Sequence, residues 1–393
     1  MTNLFIHTIH LKTGNKLKLQ QYPERALLLA EEKDIVILNN YPDTDYLNYL
    51  LSIGIGTRNI LIPSIKGNES LSEKILKDQQ LLKYLHKQNP LILQPYISTP
   101  AEAKIAKLIN ATFNGAPPDL TEQINNKHYL LSISPTLQYK TANSATVIAI
   151  AKQQIKKYQQ IVISGVQSYG GIEIWPINNI NELIKFENCN EQYLITKKYK
   201  TSNSPNIQYQ IHPNQIEEIG ITDQILDEKL KYQGNIYPSK SKQLEKIRQD
   251  SYILCQKLQA AGYRGILGID FIETIDNELF IVDINARTNT SSFGLYVLKK
   301  LFPNSYQDKY LKIIPNINIG KTMTFKELTG KIGPLFTKET GKGMIPYNIG
   351  GLKWGEFSGI LIDFNKNFRK ANYDDHRLHT RNQNRKLQML QQF

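Results

Sequence analysis

Two short apolar runs separated by a turn carry the residues with the clearest chemical meaning. Gly265-Ile266-Leu267-Gly268-Ile269-Asp270-Phe271-Ile272 precedes Asp276-Asn277, and Leu279-Phe280-Ile281-Val282-Asp283-Ile284-Asn285-Ala286-Arg287 follows it. Asp and Asn tolerate left-handed backbone, so Asp276-Asn277 reads as a two-residue hairpin loop. That loop pairs 270 with 283, 268 with 285 and 266 with 287, and strand alternation then puts Asp270, Asp283, Asn285 and Arg287 on one face. Directly paired positions stand about 4.5–5.5 Å apart at Cβ, and two carboxylates that close repel unless a cation lies between them. Carboxylate and amide oxygens are the ligands Mg²⁺ prefers, and Mg²⁺ keeps water or phosphate oxygens in its remaining positions. The expected metal ligands are Asp270, Asp283 and Asn285, with Mn²⁺ an admissible substitute for Mg²⁺. Gly268 is expected to leave room above Asn285 for a phosphate.

A solvated amphipathic hairpin would be the simpler reading, and it fits poorly. Phe280, Val282 and Ile284 occupy one face, while Leu279 and Ile281 precede the acids on the other. The strand is therefore expected to be covered on both sides, where charges need partners.

Three regions are expected to position this hairpin in an α+β chain. Residues 1–122 alternate apolar runs (34–38, 59–63, 90–96) with polar helical stretches, the pattern of an N-terminal α/β domain with parallel strands and crossover helices. Thr99-Pro100-Ala101-Glu102 opens a helix with Pro in its first turn, and Asn114-Gly115-Ala116-Pro117-Pro118 stops it. Over 123–305, helices around 143–158 and 241–261 alternate with hairpin-like segments, which suits antiparallel sheets. A small C-terminal α/β domain is expected over 306–393, with a glycine-rich run at Gly341–Gly351 and a strand from Phe357 to Phe364.

Bulk properties set outer limits. A chain of 393 residues with 40% apolar and 21% charged positions can bury a sizeable core. No signal-peptide pattern or membrane-length apolar run is present, so a soluble, cytoplasmic protein without membrane contact is expected. Cys189 and Cys255 are too few for a disulfide framework and read as packing residues in a reducing compartment. The net charge of +13 admits an anionic partner, but Lys and Arg are spread along the chain; nucleic acid is disfavoured, and the densest basic stretch, Lys366–Lys386, reads as a solvated tail. A homodimer is admitted by the sequence but not specified by it.

The hairpin resembles the signature of the ATP-grasp superfamily, an acid on one strand and an acid-x-Asn-x-Arg run on its antiparallel neighbour, here Asp270 and Asp283-Ile284-Asn285-Ala286-Arg287. The likeness extends upstream in order through Asn126-Lys127, the glycine turn Gly165–Gly171, Ile221-Thr222-Asp223-Gln224 and Tyr232-Gln233-Gly234-Asn235-Ile236-Tyr237-Pro238. The last two segments, with Gly343-Met344-Ile345-Pro346-Tyr347-Asn348, are similar to ATP-grasp peptide ligases of the pheganomycin type. The resemblance implies an ATP-grasp fold behind a pre-ATP-grasp domain. It also implies a ligase that uses ATP and Mg²⁺ to join a small-molecule or peptide carboxylate to an amine through an acyl phosphate. On the same basis Arg287 would contact the transferring phosphate, and Lys127 the α/β-phosphates. Ser168, Gly170 and Gly171 would fold over the phosphates as a backbone nest, with Lys197 or Lys198 reaching them from the side.

The chain departs from the family pattern twice. Ile163-Ser164-Gly165 stands where a second phosphate lysine is usual, and Gln192–Tyr199 offers no acid where the family's hinge carries Glu. These departures keep a second reading open, a nucleotide-binding or regulatory protein of the same fold with weak or lost turnover.

Overall fold

The computed structural model describes residues 1–9, 16–134, 137–166, 173–186 and 191–363. Strands β1 (Thr2–Ile6), β2 (Ile35–Ile37), β3 (Ile60–Leu61), β4 (Leu91–Pro95) and β5 (Thr112–Phe113) form a parallel sheet in the order β3-β2-β1-β4-β5. Burial on both faces explains the unbroken Ile-Val-Ile of β2. Asp43 and Thr99 cap two of the connecting helices through the N–H groups of Asp45, Tyr46 and Ala101. The helix opened by Pro100 ends at Leu108, ahead of β5, and Pro118 then begins a separate helix, Pro118–Ile124. The stop signal at Asn114–Pro118 therefore marks the end of β5, not of the helix.

A second, four-stranded antiparallel sheet is built from β6 (Lys140–Asn143), β7 (Ile161–Gly165), β8 (Ile174–Ile177) and β9 (Gln192–Lys197), in the order β6-β9-β7-β8. Helix Val147–Tyr158 covers it and buries Val147 and Ala151 against Ile161, Ile163 and Tyr193. The glycine turn expected to embrace phosphates joins β7 to β8, and Ser168, Gly170 and Gly171 lie outside the described residues. So do Cys189 and the basic tail. Cys255 is a core residue whose thiol burial pushes up.

The remaining strands form one antiparallel sheet: β10 (Thr201–Asn203), β11 (Pro205–Ile211), β12 (Ile216–Leu226), β13 (Tyr232–Tyr237), β14 (Gly265–Thr274), β15 (Leu279–Asn285), β16 (Leu311–Asn318), β17 (Gly343–Tyr347) and β18 (Glu356–Ile362). β14 pairs with β15 along one edge and with β10 and β11 along the other; the sheet then runs β12-β13-β16-β18-β17. The C-terminal strands thus continue this sheet instead of making one of their own. Helix Leu244–Ala260 packs beneath it, burying Ile247, Leu254, Cys255 and Leu258 at helical spacing against Ile207, Leu267, Ile269 and Phe271. Glu24, just before the first sheet's second strand, accepts hydrogen bonds from the N–H groups of Ile349 (2.5 Å) and Gly350 and ties the N-terminal region to the C-terminal one.

The β13–β16 seam depends on one glycine. Gly234 has φ of 141°, and a Cβ there would run into the carbonyl oxygen of Ile313. Gly234→Ala is expected to cost about 3 kcal/mol or more, from backbone strain and loss of strand pairing. Denaturant unfolding followed by circular dichroism checks this; an unchanged midpoint would contradict the tight seam.

Candidate active site

β14 and β15 pair 268 with 285 and 270 with 283, as the sequence suggests, but by a different route. The loop has three residues, Ile275–Asn277: Thr274 N–H bonds to Glu278 O at 2.9 Å, and Asn277 adopts the left-handed conformation with φ of 60°. That loop alone would shift the pairing by one. A bulge at Val282 restores it, since Phe271 pairs with Ile281 while Asp270 pairs with Asp283. The bulge also changes which side chains share a face. Ile281 and Ile284 are core residues, whereas Val282, Asp283 and Asn285 line a cavity with Asp270 and Ile272. The expected grouping of Phe280, Val282 and Ile284 on one face is therefore incorrect, because it assumes an unbroken pleat. The expected pair 266/287 is also absent: β15 ends at Asn285, and Arg287 bridges Ile97 of the N-terminal region.

The cavity holds about 690 Å³ and lies between the four-stranded sheet and the large one, reaching to the N-terminal region. Its apolar wall includes Val162 and Ile174 from one sheet and Leu226, Ile272 and Val282 from the other. At its polar end Asn285 Nδ2 donates to Asp270 Oδ2 at 3.0 Å, and Arg287 donates to Asn285 Oδ1 at 2.7 Å and to the Tyr96 hydroxyl at 3.3 Å. Burial, and after it the charge of Asp283, push the Asp270 carboxyl up to about 6, against hydrogen bonds from Asn206 and Gln224. Burial also raises Asp283, opposed by the charges of Lys127 and Arg287.

Lys127 is buried at the start of helix Lys127–Ile133, behind the Asn126 cap, and its N–H bonds to Val166 O at 2.9 Å, next to the end of β7. Lys197 and Lys198 line the cavity where β9 ends, with the Lys197 ammonium 4.3 Å from the Tyr199 ring centroid. Ser164 is buried and faces the same cavity. Gly268 does not leave space for a phosphate: a Cβ there would run into Asn289 Nδ2 and lie 2.6 Å from Gln208 Nε2. Side-chain amides fill the room that the sequence assigned to a ligand.

These amides belong to a buried ladder that sequence reasoning did not find. Asn206 Nδ2 donates to Asp270 Oδ1, Gln208 Nε2 donates to Asn206 Oδ1 at 2.6 Å, and Ser291 and Ser292 donate to Asn206 and Gln208 at 2.7 Å each. Its signal was the alternation Asn206-Ile207-Gln208-Tyr209-Gln210, with Ile207 and Tyr209 in the core and the amides on the opposite face. Groups that orient ligand side chains typically matter about 10–100-fold in metal affinity. Asn206→Ala is therefore expected to weaken Mg²⁺ binding about tenfold, read by calorimetric titration.

The Pre ATP-grasp domain family matches residues 23–111 and the ATP-grasp domain family matches residues 135–291, the stretch that contains both acids and Asn285. The chain belongs to the ATP-grasp superfamily. It has an α+β ATP-grasp fold with an N-terminal pre-ATP-grasp domain and an additional small domain, the C-terminal strands β16–β18 continuing the large sheet. No curated protein matches the chain in sequence. Solved ATP-grasp relatives match it in fold. N5-carboxyaminoimidazole synthetase from Staphylococcus aureus, complexed with ADP, is 12% identical with a TM-score of 0.57, covering 95% of each chain. Biotin carboxylase from Campylobacter jejuni is 11% identical with a TM-score of 0.60, over 94% of this chain and 89% of its own. Carboxyaminoimidazole ribonucleotide synthase from Aspergillus clavatus, complexed with ATP, is 12% identical with a TM-score of 0.56, over 95% and 96%.

Among the described residues no group of three or more His, Cys, Asp and Glu side chains could hold a metal. The polar end of the cavity instead offers two carboxylates and one amide, an all-oxygen donor set that suits a hard divalent ion whose other positions go to phosphate and water. No helix among the described residues is long and apolar enough to cross a membrane.

Proposed function

We propose that this ATP-grasp protein is an ATP-dependent carboxylate–amine ligase. The observation that carries the reading is the convergence of Asp270, Asp283, Asn285 and Arg287 at one end of a two-sheet cavity with an apolar wall at the other. A flat base fits between Val162, Ile174, Ile272 and Val282, and the phosphates then extend toward the acids. About 690 Å³ lies within the ~300–1,000 Å³ range of ligand sites. The S. aureus and A. clavatus relatives are complexed with ADP and ATP, which supports an adenine nucleotide as the ligand.

In the proposed reaction a substrate carboxylate oxygen attacks the γ-phosphorus, the bond to the β-phosphate oxygen breaks, and ADP leaves. The amine nitrogen then attacks the acyl carbon, inorganic phosphate departs with the C–O bond electrons, and the nitrogen loses a proton. Asp270, Asp283 and Asn285 would hold Mg²⁺, or Mn²⁺ in its place, which would supply charge neutralisation for the phosphates. Lys127 places a second positive charge at the same end, and Lys197 and Lys198 flank it. Arg287 is oriented by Asn285 and Tyr96 toward the transferring group. Positioning and charge account for this kind of catalysis, and no side chain need act as nucleophile. The segments similar to pheganomycin-type enzymes support a peptide ligase within this class.

The test is incubation with ATP, Mg²⁺ and pools of amino acids and short peptides, following ADP and ligated mass, beside Asp283→Ala. ADP and new mass with the native protein alone support the ligase. ATP binding without ADP above the variant, for every pool, would replace it with a nucleotide-binding protein that has lost turnover, the reading that Ser164 keeps open.

A further inference from the structure

Arg25 belongs to the short helix Tyr22–Leu28 of the N-terminal region, far in sequence from Asp270, Asp283, Asn285 and Arg287. It lines the same cavity, yet is only 7% exposed, and its Nε and Nη2 have no hydrogen-bond partner among the described residues. A buried cation with unmade hydrogen bonds is costly unless a ligand completes it. Its neighbour Glu24 does not serve, because that carboxylate is taken by the Ile349 and Gly350 N–H groups.

Three rings fix how the guanidinium is presented. Its Cζ stands 4.2 Å from the Tyr96 centroid, 5.0 Å from that of Phe293 and 5.5 Å from that of Tyr22. Aromatic packing holds the cation, and the edge that carries Nε–H and Nη2–H is left unpaired. Those two parallel donors match the two oxygens of a carboxylate. Arg287 reaches the same Tyr96 from the metal end, with Cζ 5.9 Å from the ring centroid and a nitrogen 3.3 Å from its hydroxyl. Burial acts to raise the Tyr96 hydroxyl, but the charges of Arg287 and Arg25 outweigh it and hold it below its ordinary value. Asp270, Asn285, Arg287, Tyr96 and Arg25 thus form one continuous series from the acids to the N-terminal region. On that side the cavity is lined by Ile9, Leu19, Tyr22, Pro100 and Pro118.

We propose that Arg25 is the seat of the acyl donor's carboxylate, and that the donor is an acid with an apolar body lying against Leu19, Tyr22 and Pro118. This rests on the ligase reading for the word donor, while the seat itself is a claim about binding. It makes the N-terminal region a direct part of the substrate site.

Calorimetric titration of the full chain without nucleotide tests it, with 3-phenylpropanoate, 3-phenylpropanamide and inorganic phosphate as probes. The acid is expected to bind about tenfold or more tightly than either of the others, because only it offers both a planar two-oxygen group and an apolar body. Arg25→Lys and Arg25→Gln are each expected to weaken the acid about tenfold or more, with MgADP affinity unchanged within about twofold. Failure of the acid to bind, equal binding of the amide or of phosphate, or full affinity in Arg25→Gln would each overturn the proposal. The comparison of acid with amide needs no variant, so a folding defect cannot hide the answer. Absence of MgADP binding by the native protein would instead count against the nucleotide site, leaving the carboxylate titration to be read by itself.

Discussion

Asp283→Asn is expected to reduce ADP formation by at least about 10²–10³-fold while the protein stays folded. The substitution keeps the shape of the side chain and removes one of the two charges proposed to hold the metal. Asp270 then remains with Asn206 and Asn285 as neighbours, a set with half the carboxylates and a correspondingly weaker hold on a divalent ion. Activity should recover in part as Mg²⁺ is raised, with half-saturation moved to higher concentration. The stability effect has the opposite sign. In the native protein two acids share one end of a cavity, and the charge of Asp283 adds to burial in raising the Asp270 carboxyl. In metal-free buffer the variant should therefore melt at or above the temperature of the native protein. Native activity with native Mg²⁺ dependence would remove Asp283 from the metal site.

Arg287→Met is expected to lower kcat by about 10²–10³-fold, the usual cost of about 3–4 kcal/mol for one lost contact to developing charge. ADP affinity should change little, because the contact proposed for Arg287 is to the group in transit. Arg287→Lys should rescue poorly. The guanidinium bridges Asn285 Oδ1 and the Tyr96 hydroxyl at once, and a single ammonium cannot reproduce that fork. Single-turnover kinetics beside an ADP titration separates the two quantities; loss of ADP binding equal to the loss of kcat would mean that Arg287 holds the nucleotide itself.

Strong local signals were legible in the sequence. The runs at 34–38, 59–63 and 90–96 contain β2, β3 and β4, and the text is most continuously apolar in β2, which is buried on both faces. The pairing of Asp270 with Asp283 was legible too, though the reasoning behind it contained two offsets that cancel. The three-residue loop and the bulge at Val282 each move the register by one, and neither leaves a mark in residue types. What could not be read was whatever depends on contacts between distant segments. Arg25 sits in a short helix without periodicity, and only the folded chain stacks it on Tyr96 and Phe293. Tyr96 follows β4 at the carboxyl end of a parallel sheet, a place where ligands commonly bind, and that rule would have singled it out. Gly268 shows the reverse error, because a glycine opposite an Asn signals close packing as readily as room for a ligand.

The bulge in β15 gives neighbouring residues separate jobs. A regular strand would turn Val282 away from the face that carries Asp283; here both look into the cavity, one as part of its apolar wall and the other as an acid at its polar end. In the proposed site, contact with the base and hold on the metal would thereby be encoded one codon apart and could drift independently. Changes of bulk at 282 are expected to alter which nucleobase is accepted while leaving the hold on the phosphates intact, so a library confined to that position would explore nucleotide choice without sacrificing the catalytic end.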